Sequence, residues 1–117
     1  MITGVHAILY AKDAERVRNF FRDVLEMPFV DAGRGWLIFA LPPAEIAAHP
    51  VDSPAGEEHH ELYLMCDDVE ATVAMMKSKG VNFTQAVADR GWGLVTQFEL
   101  PGGGLMGIYQ PRHPTAH

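Results

Sequence analysis

This chain repeats itself, because two stretches about 55 residues apart share one order of strand-forming and helix-forming segments. His6 and Glu61 stand at the same place in the two copies, and the motif Arg-Gly-Trp at 34–36 recurs at 90–92. Internal repetition constrains a fold more tightly than local propensity does, since both copies must adopt the same supersecondary unit. Two copies related by a pseudo-twofold axis would also bring equivalent side chains toward one shared surface.

The length of the chain favours one domain that contains both copies. Its 117 residues, of which 48% are hydrophobic, are enough for a single globular core. We therefore expect one domain over residues 1–117, with module one at about 3–50 and module two at about 59–111. The stretch 50–58 contains Pro and Gly and is the predicted linker.

Charge and cysteine content limit the partners and the compartment. The net charge is −6, and no cluster of Lys and Arg could neutralise phosphates, so we expect neither a nucleic-acid nor a membrane partner. The apolar runs are far shorter than the roughly 20 residues of a membrane span, and the N-terminal residues lack the layout of a secretory signal. The single cysteine, Cys66, allows no internal disulfide. A reduced thiol is typical of the cytoplasm, where we expect this protein to reside.

The first half predicts one helix and several strands. Asp13 is the predicted N-cap of a helix at 14–25, in which apolar residues form one stripe. Pro28 makes continuation of this helix unfavourable. Strand-like composition marks four segments, at 5–10, 29–30, 36–41 and 45–49.

The second half predicts the same order. Asp67 or Asp68 caps a predicted helix at 69–79, and Gly80 stands where helices often end. Strands are predicted at 61–66, 81–87, 93–99 and 104–110. Each half is therefore strand, helix, strand, strand, strand.

Four segments carry a resemblance to a known family: 5–10, 20–27, 61–69 and the Gly-rich hairpin 100–109. With its doubled βαβββ order, the chain resembles the vicinal-oxygen-chelate superfamily, which includes glyoxalase I, extradiol dioxygenases, fosfomycin-resistance enzymes and bleomycin-binding proteins. The resemblance implies an α+β fold, in which two βαβββ modules form a curved, partly closed mixed β-sheet barrel with the helices outside. Similar chains often dimerise, so we expect a homodimer.

Side-chain alternation predicts which residues face the interior of that barrel. In the strand at 61–66, alternate positions give one apolar face, whereas Glu61, Tyr63 and Met65 share the opposite face. In the strand at 5–10, His6 shares a face with Tyr10. We therefore expect His6 and Glu61 to point into a common cavity.

The resemblance implies a metal site in this cavity. Its inward ligands would be His6 and Glu61, with His49 of the predicted fourth strand as the third candidate, binding Fe, Zn, Ni or Mn. Two histidines and one carboxylate suit Fe(II) and oxygen activation. The similar metalloenzymes also place a Glu in the final strand, where this chain has Gly107, which has no ligand atom. Without a metal, His6 and Glu61 are still candidate catalytic residues, as a directly paired general acid and base.

Aromatic residues are the candidate contacts for a ligand. Trp36 and Trp92 begin equivalent strands, where they could stack on a planar guest or anchor the core or an interface. The three tyrosines, Tyr10, Tyr63 and Tyr109, are the other candidates. Arg34 and Arg90 precede the tryptophans, either as solvated turn residues or as cations at the rim of the site.

Two functions of different classes are compatible with these residues. The first is a glyoxalase-like or dioxygenase-like enzyme that depends on a divalent metal and acts on a small molecule with neighbouring oxygens. Gly107 argues against glyoxalase I and the extradiol dioxygenases themselves, since both use the final-strand Glu. The alternative is a metal-free protein that binds and sequesters a planar or aromatic compound, as bleomycin-resistance proteins do.

Overall fold

The protein is described by a computed structural model that covers residues 6–9, 11–45, 47 and 61–114. These residues form a mixed α+β fold, which confirms the predicted fold class. The helices are α1, Ala14–Asp23, and α2, Val69–Ser78. The strands are β1, Phe29–Asp31; β2, Leu37–Phe39; β3, Tyr63–Met65; β4, Ala88–Asp89; β5, Gly93–Glu99; and β6, Leu105–Pro111.

Both helices begin at an aspartate, as the sequence predicts. The Asp13 carboxylate accepts a hydrogen bond from the Arg16 backbone N–H at 3.1 Å. The Asp68 carboxylate accepts from the Ala71 backbone N–H at the same distance, so Asp68 rather than Asp67 is the N-cap. Each carboxylate satisfies a backbone donor that has no partner within its helix, and it places negative charge near the positive end of the helix dipole.

The second module forms a four-stranded mixed sheet in the order β3-β6-β5-β4. Strands β5 and β6 form a long antiparallel hairpin, and β4 pairs with the outer edge of β5. Strand β3 pairs in parallel with β6, which places the start of the module beside its end. The βαβββ order predicted for this module is therefore observed, with its second strand at Ala88–Asp89 rather than at the predicted 81–87.

The described strands of the first module do not join that sheet. Strands β1 and β2 form a separate antiparallel pair, and the sheets are not closed into a barrel within the described residues. The expected partial barrel is thus corrected to two separate sheets. The physical reason is that the described part of module one supplies only this short pair, and closure of a barrel needs a continuous ladder of strands.

Two strand predictions were wrong where the structure describes the chain. Residues 6–9 are not in a strand, and most of 81–87 is also irregular, with a single bridge from Phe83 to Phe98. Strands persist only where a neighbour completes their hydrogen bonds, and strand-like composition alone does not supply that neighbour. Ala47 is also outside any strand, and the rest of the predicted strand 45–49 beyond Glu45 lies outside the described residues.

One hydrophobic core holds the two modules together. Val17 and Phe20 of α1 lie in the same buried cluster as Met76 of α2. The sheet contributes the side chains that point to this side of β5 and β6, including Phe98 and Ile108. Both helices therefore cover one face of the four-stranded sheet, and neither has the length that a membrane crossing would need. The opposite face carries the candidate site.

Candidate functional site

The uncovered face of the four-stranded sheet is built by strand alternation. Leu64 and Cys66 pack against the core, which confirms that part of the predicted apolar face, whereas Leu62 of the same face is exposed. Tyr63 therefore lies on the uncovered side, directly across from Gly107 in the parallel β3–β6 pair. On the next strand, Val95 lies across from Tyr109 and Gln97 across from Gly107.

Three aromatic rings meet on this face, and we call them the aromatic cluster: Tyr63, Trp92 and Tyr109. The ring centroids of Trp92 and Tyr109 are 5.1 Å apart, and those of Tyr63 and Tyr109 are 5.8 Å apart. Tyr63 and Trp92 complete the set at 6.0 Å. All three pairs meet edge to face, the geometry that the ring quadrupoles favour.

Two glycines make room for the tyrosine rings. A Cβ atom added at Gly107 would overlap Tyr63, at 2.5 Å from Cε1 and 3.2 Å from Cγ. A Cβ atom at Gly93 would lie 2.8 Å from Cδ2 of Tyr109 and 2.9 Å from the Gln110 carbonyl oxygen. The rings thus lie flat over bare backbone, and Gly107 is covered by an aromatic side chain of its neighbouring strand.

A hollow of about 240 Å³ opens beside the cluster. This volume is below the roughly 300–1,000 Å³ of sites for drug-sized ligands, so it fits a compound of one or two rings. Its lining combines two rings of the cluster with polar side chains and the sheet floor: Tyr63, Gln85, Arg90, Trp92, Val95, Thr96, Gln97 and Gly107.

The environment keeps both phenols of the cluster neutral. Burial raises the pKa of Tyr63, and the charge and hydrogen bond of Glu61 raise it further, while Arg90 opposes them. Burial also raises the pKa of Tyr109, with a smaller contribution from the charge of Glu45. Both hydroxyls therefore carry their protons at neutral pH and act as hydrogen-bonding groups.

His113 orients the hydroxyl of Tyr109. The Tyr109 hydroxyl oxygen lies 3.1 Å from Nε2 of His113, and Nδ1 of His113 lies 2.8 Å from the Pro114 carbonyl oxygen. A carbonyl only accepts, so Nδ1 donates to Pro114, and in the tautomer protonated at Nδ1 the Nε2 atom accepts from the Tyr109 hydroxyl. Sequence reasoning missed this residue, because nothing in a Pro-containing tail signals a partner four positions earlier.

The other predicted ligand contacts do not join the cluster. Trp36 lies on the turn into β2, is 66% exposed, and stacks with the Arg18 guanidinium at 5.3 Å. The turns that precede Trp36 and Trp92 differ, and this difference accounts for the different positions of the two rings. Asp31 caps a turn through Gly33 and Gly35, whereas Asp89 caps a shorter one through Gly91. Tyr10 lies outside the described residues.

The residues predicted to bind a metal are described only in part. His6 and Glu61 are both exposed, and His49 lies outside the described residues, so the three-ligand set stays a prediction. The strand expected to orient His6 is not formed at 6–9. Among residues 6–9, 11–45, 47 and 61–114, no three His, Cys, Asp or Glu side chains are grouped to hold an ion. The described residues do not fit the site of the similar metalloenzymes, because Gly107 offers no ligand and the Tyr63 ring covers it.

Cys66 belongs to the core side rather than to the site. Its thiol donates to the Tyr109 carbonyl oxygen at 3.5 Å. Burial is the main cause that raises the pKa of this thiol. A thiol held protonated is a poor nucleophile, in line with a structural role.

Several solved structures share this fold. An antibiotic-binding protein, TnmS3 from Streptomyces sp. CB03234, aligns at a TM-score of 0.60 and 21% identity, over 94% of this chain and 97% of its own. Lactoylglutathione lyase from Agrobacterium tumefaciens aligns at 0.61 and 15% identity, over 92% of both chains. A superfamily member from Sphaerobacter thermophilus DSM 20745 aligns at 0.60 and 20% identity, over 93% of this chain and 98% of its own.

Sequence comparison identifies the family. No curated protein matches the chain by sequence. The sequence model of the Glyoxalase/Bleomycin resistance protein/Dioxygenase superfamily, however, matches residues 4–108, nearly the whole chain. This chain therefore belongs to the Glyoxalase/Bleomycin resistance protein/Dioxygenase superfamily.

Proposed function

We propose that this protein binds a planar aromatic small molecule on the aromatic cluster and does so without a metal. The supporting geometry is the edge-to-face set of Tyr63, Trp92 and Tyr109 beside a hollow that holds one or two rings. Tyr63 and Trp92 remain 37% and 43% exposed, so their rings are accessible to a guest. Rings held in place by their neighbours lose little conformational freedom on binding, which favours affinity.

The single observation that carries this proposal over the enzyme is the packing of Tyr63 on Gly107. In the similar metalloenzymes, the equivalent position holds a carboxylate that binds the metal. Here a side chain at this position would collide with the ring, so the position is devoted to the aromatic surface. A metal-dependent lyase or dioxygenase would need its ligands elsewhere.

The fold is compatible with such a role. TnmS3, which aligns over 94% of this chain, is an antibiotic-binding protein. Its low identity shows a shared fold and not a shared ligand. The proposal for this chain therefore depends on its own rings and their accessible edges.

The two tryptophans allow a direct test. Titration with 1-nitronaphthalene, a planar quencher, should give saturable quenching of Trp92, because a guest on the cluster contacts that ring. The Trp36→Phe variant should keep this response, and the Trp92→Phe variant should lose it. Trp36 is the more exposed tryptophan, at 66% against 43%, so random collisions would quench Trp36 more strongly.

Stronger quenching of Trp36 than of Trp92 would therefore contradict the proposal. Linear quenching of the Trp36→Phe variant, without saturation, would do so as well. Calorimetry on both variants separates loss of the reporter from loss of affinity. We expect heat of binding to persist in Trp36→Phe and to fall in Trp92→Phe.

A further inference from the structure

Two residues in the lining of the hollow, Arg90 and Trp92, carry hydrogen-bond donors only. Arg90 carries five N–H donors and no acceptor, and the Trp92 indole carries one donor and no acceptor. Both residues line the hollow together with Gln97. The donor groups thus stand at the edge of the surface on which a planar ring would lie.

The carboxylate next to Arg90 in the chain is already engaged. Asp89 accepts from Nη1 of Arg112 at 2.8 Å and from the Gly91 backbone N–H at 2.9 Å. Glu61, the other carboxylate near this end, interacts with Tyr63 and raises the pKa of its hydroxyl. Both carboxylates near Arg90 therefore already interact with other groups of the protein.

Gln97 adds a donor group to this side of the hollow. Its side-chain oxygen accepts from the Thr84 hydroxyl at 3.1 Å, and its amide NH₂ carries two further N–H donors. Thr96, also in the lining, donates its hydroxyl proton to the Gln85 carbonyl oxygen at 2.8 Å. The Arg90 guanidinium, the Trp92 indole and the Gln97 amide can thus donate to an acceptor on a guest in the hollow.

We propose that the hollow selects planar compounds that carry a carbonyl or carboxylate oxygen, held by Arg90 and the Gln97 amide while the ring contacts Trp92. This inference rests on the proposed function and specifies its ligand class. Donors left without an acceptor in a partly desolvated site cost affinity, so a guest lacking the oxygen is disfavoured. A carboxylate gains more than a neutral carbonyl, because its hydrogen bonds to Arg90 are charge-assisted.

Three naphthalene probes of similar shape test the proposal by calorimetry: 2-acetylnaphthalene, 2-naphthoate and 2-isopropylnaphthalene. We expect the acetyl probe to bind roughly tenfold more tightly than the isopropyl probe, and the naphthoate to bind more tightly still. Arg90→Met should bring these ratios close to one, because the acetyl and naphthoate probes lose the donor that distinguishes them from the isopropyl probe. Gln97→Met should reduce them in part.

Arg34→Met is the matched control, because Arg34 precedes Trp36 in the equivalent motif and does not line the hollow. It should leave all three affinities unchanged. Equal affinities for the acetyl and isopropyl probes in the unaltered protein would overturn this inference and leave the binding function standing. Ratios that survive Arg90→Met would also overturn it. Failure of all three probes to bind would overturn the proposed function and this inference together.

Discussion

Among single residues, Gly107 has the most consequences, because its neighbour fills the space where a side chain would stand. The resemblance to metalloenzymes of this superfamily leads us to expect a glutamate at this position, where this chain has glycine. The coordinates add that the Tyr63 ring occupies the space above it. The absence of a side chain at Gly107 is thus what allows the Tyr63 ring to pack there.

Substitution of Gly107 tests that packing. Gly107→Ala should destabilise the protein by about 1–3 kcal/mol, because the added methyl group forces Tyr63 away from its position. Unfolding in urea measures the loss. In a Tyr63→Ala background the same substitution should destabilise the protein much less, since the ring that the added methyl group would meet is absent.

Gly104→Ala serves as the control for this experiment. Its added Cβ would meet Leu100 at 3.5 Å, an ordinary contact, so the change should stay within about 0.5 kcal/mol. Equal costs at 104 and 107 would contradict the packing argument. A destabilisation by Gly107→Ala that is equally large with and without the Tyr63 ring would contradict it as well.

Part of the candidate site was predictable from alternation along the strands and from the internal repeat. Tyr63, Trp92 and Tyr109 were proposed as ligand contacts from the sequence, and the structure brings them together. Arg90 was weighed as a rim cation, and it lines the hollow. Gln97 and His113 were not predicted from the sequence. The role of Gln97 depends on cross-strand register, and that of His113 on a contact of the tail, and no local pattern encodes either.

At the scale of elements, the helices were more predictable than the strands. A helix carries its own hydrogen bonds, so a capping aspartate and an apolar stripe indicate both α1 and α2. A strand depends on a partner that is distant in sequence. For this reason residues 6–9 have strand-like composition without forming a strand.

The caps offer a test at this scale. Asp68→Ala should destabilise the protein by about 1 kcal/mol, because the Ala71 N–H loses its acceptor at the helix N-terminus. Asp67→Ala removes the same charge one position earlier and should cost much less, since Asp68 is the N-cap. Urea midpoints compare the two variants. A larger loss of stability for Asp67→Ala than for Asp68→Ala would show that Asp68 is not the N-cap.

At the scale of the whole molecule, the first helix belongs to the core of the second module. Phe20 of α1 packs against Phe98 of β5, with ring centroids 5.9 Å apart. Lys79, just after α2, donates to the Val24 carbonyl oxygen at 3.2 Å. The two copies of the repeat are thus joined by packing as well as by the chain.

This shared core predicts one cooperative unfolding transition. The Trp92→Phe variant reports on the first module through Trp36, and the Trp36→Phe variant reports on the second through Trp92. Fluorescence midpoints in urea should agree with the far-ultraviolet circular dichroism of each variant. Phe20→Ala, which removes a buried ring, should destabilise the protein by about 3–5 kcal/mol. It should lower the urea midpoints reported by Trp36 and by Trp92 together. Separate transitions for the two tryptophans would show that the modules are independent.

The parallel pairing of β3 with β6 also determines when binding becomes possible during synthesis. Tyr63 is translated long before Gly107 and Tyr109, yet its ring rests on one and touches the other. A nascent chain must therefore wait until β6 has left the ribosome before its aromatic surface can assemble, whereas α2 can coil much earlier. A ligand added during translation should therefore bind and stabilise only chains that have been completed through β6.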